Sequence, residues 1–276
     1  RLLLIRRSSS SSLPPRASPE RNPMVNWFLT NTERPEARLR LLCFPWAGAG
    51  AAAFRDWHLH VAEDVEVRGL QLPGRGWRVR ETPKTDLAEI ANDVVEAVCG
   101  LDDRPTLLFG HSFGAWLGLL VARRLEEIGR APLALVASGR RSPSHPRSDT
   151  PMRHLDDDRF VDEIQRRYGA IDPIIVEDAD LLELLLPALR ADVAALEEYT
   201  HDVGERVECP ILAIGGSRDP VVPIDELGSW AEETTGPFER RVFEGGHFYL
   251  QDDPRPVLRW LGDEIEARWP AEVRTA

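Results

Sequence analysis

"TLLFGHSFGAWLGLLVARRLEEIG", residues 106 to 129, changes character at its centre. Thr106 to Phe109 is a short apolar run that stops at a glycine, the pattern of a buried strand. From about Ala115 the chain is apolar for two turns and then gains charges at helical spacing. Between the two stands one serine, Ser112, with Gly110 two residues before it and Gly114 two residues after. A sharp strand-to-helix turn forces its central residue into a strained conformation and presses the positions at minus two and plus two together, where a side chain would collide. The N-terminal N–H groups of the following helix then favour an anion formed at the serine. Ser112 is therefore a candidate nucleophile on an elbow permitted by Gly110 and Gly114, with an ordinary turn serine as the alternative.

Further runs of the same kind flank this one. "LRLLCFPWAG", "VEVRGLQLPG", "LALVASG" and "CPILAIGG" each read as a buried strand stopped by Pro or Gly, and "TDLAEIANDVVEAVCG" reads as an amphipathic helix between two of them. Alternating strands and helices predict an α/β fold with a mostly parallel central sheet covered on both faces. In such sheets chemistry gathers in the loops after the strands' carboxyl ends.

A serine hydroxyl needs a base and an orienting carboxylate, and in this class of fold they follow in the order Ser, acid, His. Asp219 in "GGSRDPVVP" and His247 in "FEGGHFYL" fill that order. The alternative for Asp219 is an Asx turn before Pro220, and for His247 a capping or core histidine. Among the other histidines, His111 is expected to face away from the site, and His58 and His60 lack further metal ligands nearby. An oxyanion would take the Phe113 N–H and a second donor from the loop "FPWAGAGAAAF", where the Ala47 N–H is the candidate. Close packing is the other use for a loop so rich in small residues. No metal and no cofactor is expected.

The 276 residues suit one main domain. A formal net charge of -12 disfavours nucleic acid and anionic membrane surfaces as partners. No apolar run reaches the length of a spanning helix, and the three cysteines have neither disulfide-framework nor zinc spacing. A soluble, cytoplasmic monomer is expected. Residues 1–23, rich in Ser, Arg and Pro, are expected to be disordered or a non-native extension, leaving 24–276 as the functional domain.

From Leu41 to Leu250 the chain resembles the type II thioesterases, free-standing editing hydrolases of polyketide and nonribosomal peptide synthases. The resemblance rests on "LLCFPWAGAGAAAFRDW", "VRGLQLPGRGWRVRE", "GHSFGA", "LVASGRRSP", "LLELLLPALRADVAALEEY", "CPILAIGGSRDPVV" and "GGHFYL", in family order. It implies an α/β-hydrolase fold, a triad at Ser112, Asp219 and His247, an oxyanion loop at Phe44 to Gly50, and a helical lid at about 142–203. Packing of that segment's leucines against the main sheet is the simpler account of its apolar stripes. The implied substrate is an acyl- or peptidyl-carrier protein bearing a phosphopantetheine thioester. Arg75, Arg78, Arg80, Arg140 and Arg141 are candidates for local contact with an acidic carrier, against simple surface solvation. Trp46, Ala49 and Trp77 depart from the usual family residues and bear on pocket shape. Alternatives are a medium- or long-chain fatty acyl thioesterase, a carboxylesterase with the same triad, and a non-catalytic binding module of hydrolase fold.

Overall fold

The computed structural model of the chain describes residues 26–146, 150–169, 171, 173–202 and 204–270. The segment 1–23 lies outside the described residues. Seven strands form one sheet: β1 (Phe28–Leu29), β2 (Leu39–Phe44), β3 (Val65–Leu70), β4 (Thr106–His111), β5 (Leu135–Ser138), β6 (Ile211–Gly216) and β7 (Phe238–Phe243). Their spatial order is β1-β3-β2-β4-β5-β6-β7. Every pairing is parallel except that of β1 with β3. The helices are α1 (Leu87–Cys99), α2 (Phe113–Glu127), α3 (Asp157–Tyr168), α4 (Pro173–Glu177), α5 (Ala179–Glu198), α6 (Tyr249–Asp252) and α7 (Arg255–Arg268).

The continuous apolar strands are buried on both faces, as a parallel sheet between helices requires. Leu42, Phe44 and Leu108 pack on one side with α1 and α2, while Leu41, Cys43, Leu107 and Phe109 pack on the other with Val257, Leu258 and Leu261 of α7. Period-two alternation thus sends neighbours along one strand into different cores. Two strands escaped the sequence reading. β1 has only two residues, and β7 is an edge strand whose central residues Glu239, Arg240 and Arg241 are exposed, which removes the apolar signal and guards the edge.

α1 starts where Asp86 accepts the N–H groups of Ala88 and Glu89 at 2.8 and 3.0 Å. α2 starts at Phe113, earlier than its apolar run suggests, because Ser112 itself closes the turn: the Ala115 N–H donates to the Ser112 carbonyl at 3.0 Å. The leucines between β5 and β6 mostly serve a separate purpose from the main sheet. Phe160 and Ile164 of α3 pack with Leu186, Leu189 and Val193 of α5 in a third core of their own. Only the end of α5, at Ala195 and Leu196, joins the core beneath. Among the described residues, no helix is long and apolar enough to cross a membrane.

Candidate active site

Ser112 has φ 53° and ψ -111°, and it is the only non-glycine with positive φ among the described residues. The strain is enforced by the glycines around it. A Cβ on Gly110 would lie 2.0 Å from the Gly114 carbonyl oxygen, and one on Gly114 would lie 2.1 Å from the Phe44 carbonyl oxygen. The β4–α2 turn is thereby pressed onto the end of β2 with no room for a methyl group. On its other side the Ser112 N–H donates to the Ser138 carbonyl at 2.8 Å, continuing the β4–β5 ladder past the strand end.

Asp219 follows β6 and His247 follows β7, so all three side chains sit beyond carboxyl ends of parallel strands. The two loops are stitched together: the Ser217 N–H donates to the Phe243 carbonyl at 2.7 Å and the Arg218 N–H to the Gly245 carbonyl at 2.8 Å. Gly216 permits this approach, since a Cβ there would lie 2.3 Å from the Gly246 oxygen. His247 Nδ1–H donates to Asp219 Oδ2 at 2.8 Å. That leaves Nε2 to accept from the Ser112 hydroxyl at 3.3 Å. Asp219 Oδ1 meanwhile takes the N–H groups of Val221 and Val222, at 2.8 and 3.2 Å. The Asx turn and the contact with histidine are thus both present, one on each carboxylate oxygen. Ser112, Asp219 and His247 are all buried.

Phe113 opens α2, and Ala47 lies beside Ser112 in the wall of a shared cavity. Among the described residues neither N–H takes an intramolecular acceptor. The adjacent Gly48 N–H is held differently, donating to Asp192 of α5 at 2.8 Å.

His111 does not face away. Its ring lies 5.2 Å from that of His247, and its Nδ1 contacts Ser138 Oγ at 2.8 Å, which in turn contacts Tyr249 Oη at 2.7 Å. Burial, with His247 nearby, holds the His111 imidazole well below its ordinary pKa, so it stands neutral beside His247. The sequence carried a signal for this in the adjacency of His111 to Ser112, yet nothing local tells which way such a ring turns.

Two of the candidate carrier-contacting arginines are interior groups. Arg75 is 7% exposed and grips the fully buried Asp192 with both terminal nitrogens, Nη2 to Oδ1 at 2.9 Å. Arg78 is buried, paired with Glu81 and stacked 3.9 Å over the Trp27 ring. Arg141 pairs with Glu226 at 2.9 Å, and Arg80 remains exposed. Arg140 turns into the cavity. Asp192, which ties the glycine loop, the Arg75 loop and α5 together, was not singled out from the sequence, because its partners lie far away along the chain.

The cavity is partly open to solvent. Ser112, His247, Trp46 and Phe248 form its floor, and Met152, Ile164, Tyr168, Leu189 and Val193 come from the segment between β5 and β6. Trp46 packs edge-on against His111 and Phe248, both at 5.7 Å, and forms part of the wall beside the serine.

A mostly parallel sheet in this order, with a strained serine after a central strand and a His–Asp pair after the last two, defines an α/β-hydrolase. The thioesterase domain family matches residues 39–265. The chain is 41% identical over 212 residues to the "Probable cadicidin biosynthesis thioesterase" of Streptomyces griseus, covering 77% of this chain and 58% of that protein. It is 34% identical over 240 residues to the "Gramicidin S biosynthesis protein GrsT" of Aneurinibacillus migulanus, covering 87% of this chain and 93% of the relative. The solved structure of "the type II thioesterase BorB from the borrelidin biosynthetic cluster" superposes with a TM-score of 0.79 at 33% identity, over 87% of this chain and 97% of that one. The chain belongs to the thioesterase family, and it is an enzyme that hydrolyses thioesters.

Proposed function

We propose that Ser112, His247 and Asp219 are the catalytic triad, acting on acyl thioesters of the phosphopantetheine arm of acyl- or peptidyl-carrier proteins, in the editing role of a type II thioesterase. The observation that carries this reading is the hydrogen-bonded line from Asp219 through His247 to Ser112 at the floor of a largely apolar cavity.

His247 Nε2 takes the Ser112 proton as the oxygen attacks the thioester carbonyl. Asp219 holds the Nδ1–H tautomer and stabilises the imidazolium that forms. The Phe113 and Ala47 N–H groups receive the oxyanion. When the tetrahedral adduct collapses, the C–S bond breaks and His247 returns its proton to the departing sulfur. A thiol with a pKa of about 8.5, taken from cysteine, leaves more readily than an amine. Water then attacks the acyl-serine with His247 again as base, releasing the acid and regenerating Ser112. Helices α3 to α5 act as a lid, supplying the cavity's outer wall from a core separate from the one beneath.

Carrier protein loaded with acetyl or propionyl thioester, mixed with wild-type and Ser112→Ala enzyme, tests this reading. Release of free acid falls by at least about 10³-fold in the variant while its melting curve stays close to wild type. A variant that keeps a tenth of the turnover would remove Ser112 from the mechanism.

A further inference from the structure

His111 takes no part in the proton transfers, yet its ring is packed against both loops that flank Ser112. It lies 5.2 Å from the His247 ring and 5.7 Å from that of Trp46, the residue before Ala47. The space is cut to the imidazole: Gly139 has a φ of +60°, and a Cβ there would lie 2.4 Å from His111 Cε1. A buried chain of hydrogen bonds also orients the ring. Tyr249 Oη lies 2.7 Å from Ser138 Oγ, which lies 2.8 Å from His111 Nδ1. A buried phenol must donate, and Ser138 Oγ is its acceptor among the described residues, so Ser138 in turn donates to Nδ1. The proton of the neutral ring then stands on Nε2, which is buried without a hydrogen-bond partner. Core packing alone asks for none of this, because an apolar side chain would occupy the space without stranding a polar atom.

We propose that His111, oriented by Ser138 and Tyr249, is a positioning residue for hydrolysis: its ring backs the His247 imidazole and keeps His247 Nε2 aligned on the Ser112 hydroxyl. This rests on the assignment of His247 as the general base. The chain is built into the segments that carry the triad. His111 immediately precedes Ser112, Tyr249 follows His247 by two residues, and the Ser138 carbonyl accepts the Ser112 N–H at 2.8 Å. The contact from His247 Nε2 to Ser112 Oγ is 3.3 Å, the loose end of a hydrogen bond, so a small turn of an unsupported imidazole breaks it. None of His111, Ser138 and Tyr249 lines the cavity, which separates positioning from substrate binding.

The test follows hydrolysis of the acetyl thioester of N-acetylcysteamine, and the rate at which a fluorophosphonate modifies Ser112 with loss of fluoride, in wild type, His111→Leu, His111→Asn and Ser138→Ala. His111→Leu lowers kcat and kcat/KM together by at least about tenfold and slows phosphonylation in step. Asn offers its Oδ1 where Nδ1 stood, so His111→Asn turns over at least about threefold faster than His111→Leu. Ser138→Ala removes one oxygen and both bonds, lowers kcat by at least about threefold, and adds nothing further when combined with His111→Leu. Ser138→Ala keeps the comparison open should His111→Leu fail to fold. Smaller losses than these, a rise in KM with kcat unchanged, no recovery by Asn, or losses that multiply in the double variant would each overturn the proposal. If hydrolysis still depends on Ser112 and His247 in any of those cases, the proposed function survives and only the positioning role fails. Hydrolysis that survives His247→Ala would instead remove the base on which the proposal rests.

Discussion

Asp192→Ala tests whether the glycine loop beside the serine is held from α5. Asp192 is fully buried, accepts two hydrogen bonds from Arg75 and a third from the Gly48 N–H, and no other acid pairs with Arg75 among the described residues. Removing the carboxylate leaves a guanidinium at 7% exposure without its counter-charge. Breaking one side of such a pair costs about 3–5 kcal/mol. For a chain of this size that lowers the melting temperature by roughly 6–20 °C. The Gly48 N–H loses its acceptor as well, so the neighbouring Ala47 N–H is free to drift. Loss of positioning on that scale lowers kcat by roughly ten- to a hundredfold, measured on a short acyl thioester well below the transition. The double variant Arg75→Met/Asp192→Leu separates charge from shape. It removes both charges and keeps apolar volume, so it recovers at least about 2 kcal/mol over Asp192→Ala in urea denaturation. The catalytic defect remains in the double variant, because Gly48 is still without its acceptor. A double variant no more stable than the single would refute the argument from uncompensated charge, and full activity in both would refute the latch.

Gly114→Ala places a Cβ 2.1 Å from the Phe44 oxygen and is expected to lose at least about 3 kcal/mol, whereas Gly262→Ala in α7, where a Cβ meets nothing within 4 Å, is expected to be neutral or stabilising. Urea midpoints compare the two, and a Gly114→Ala variant within about 1 kcal/mol of wild type would contradict the close approach of elbow and β2. His111 is held neutral, so below pH about 6.5 the unfolded chain binds a proton that the folded one does not, and stability falls with falling pH by up to about 1.4 kcal/mol per unit. His111→Gln is expected to flatten the slope of unfolding free energy between pH 7 and 5.5, and an unchanged slope would sink this account.

Much of the fold and of the candidate site could be read locally. Strand runs stopped by Gly or Pro, period-two burial and the spacing of Gly110, Ser112 and Gly114 are properties of a few consecutive residues, and the structure places them as expected. The order of Ser112, Asp219 and His247 pointed to a common site because each follows a strand, and parallel strands deliver their carboxyl ends to one edge. β7 was hidden because an edge strand needs no apolar face. What only the tertiary structure decided is which charges are interior. Arg75 finds Asp192 from 117 residues away, and Arg123 finds Glu233 from 110. Arg78, Arg80 and Arg140 are indistinguishable in the chain, yet one is buried beneath Trp27, one faces water and one lines the cavity beside the serine. A charge carries no local preference strong enough to declare its environment, since burial becomes tolerable only once a distant partner or an aromatic face has been brought to it by the fold.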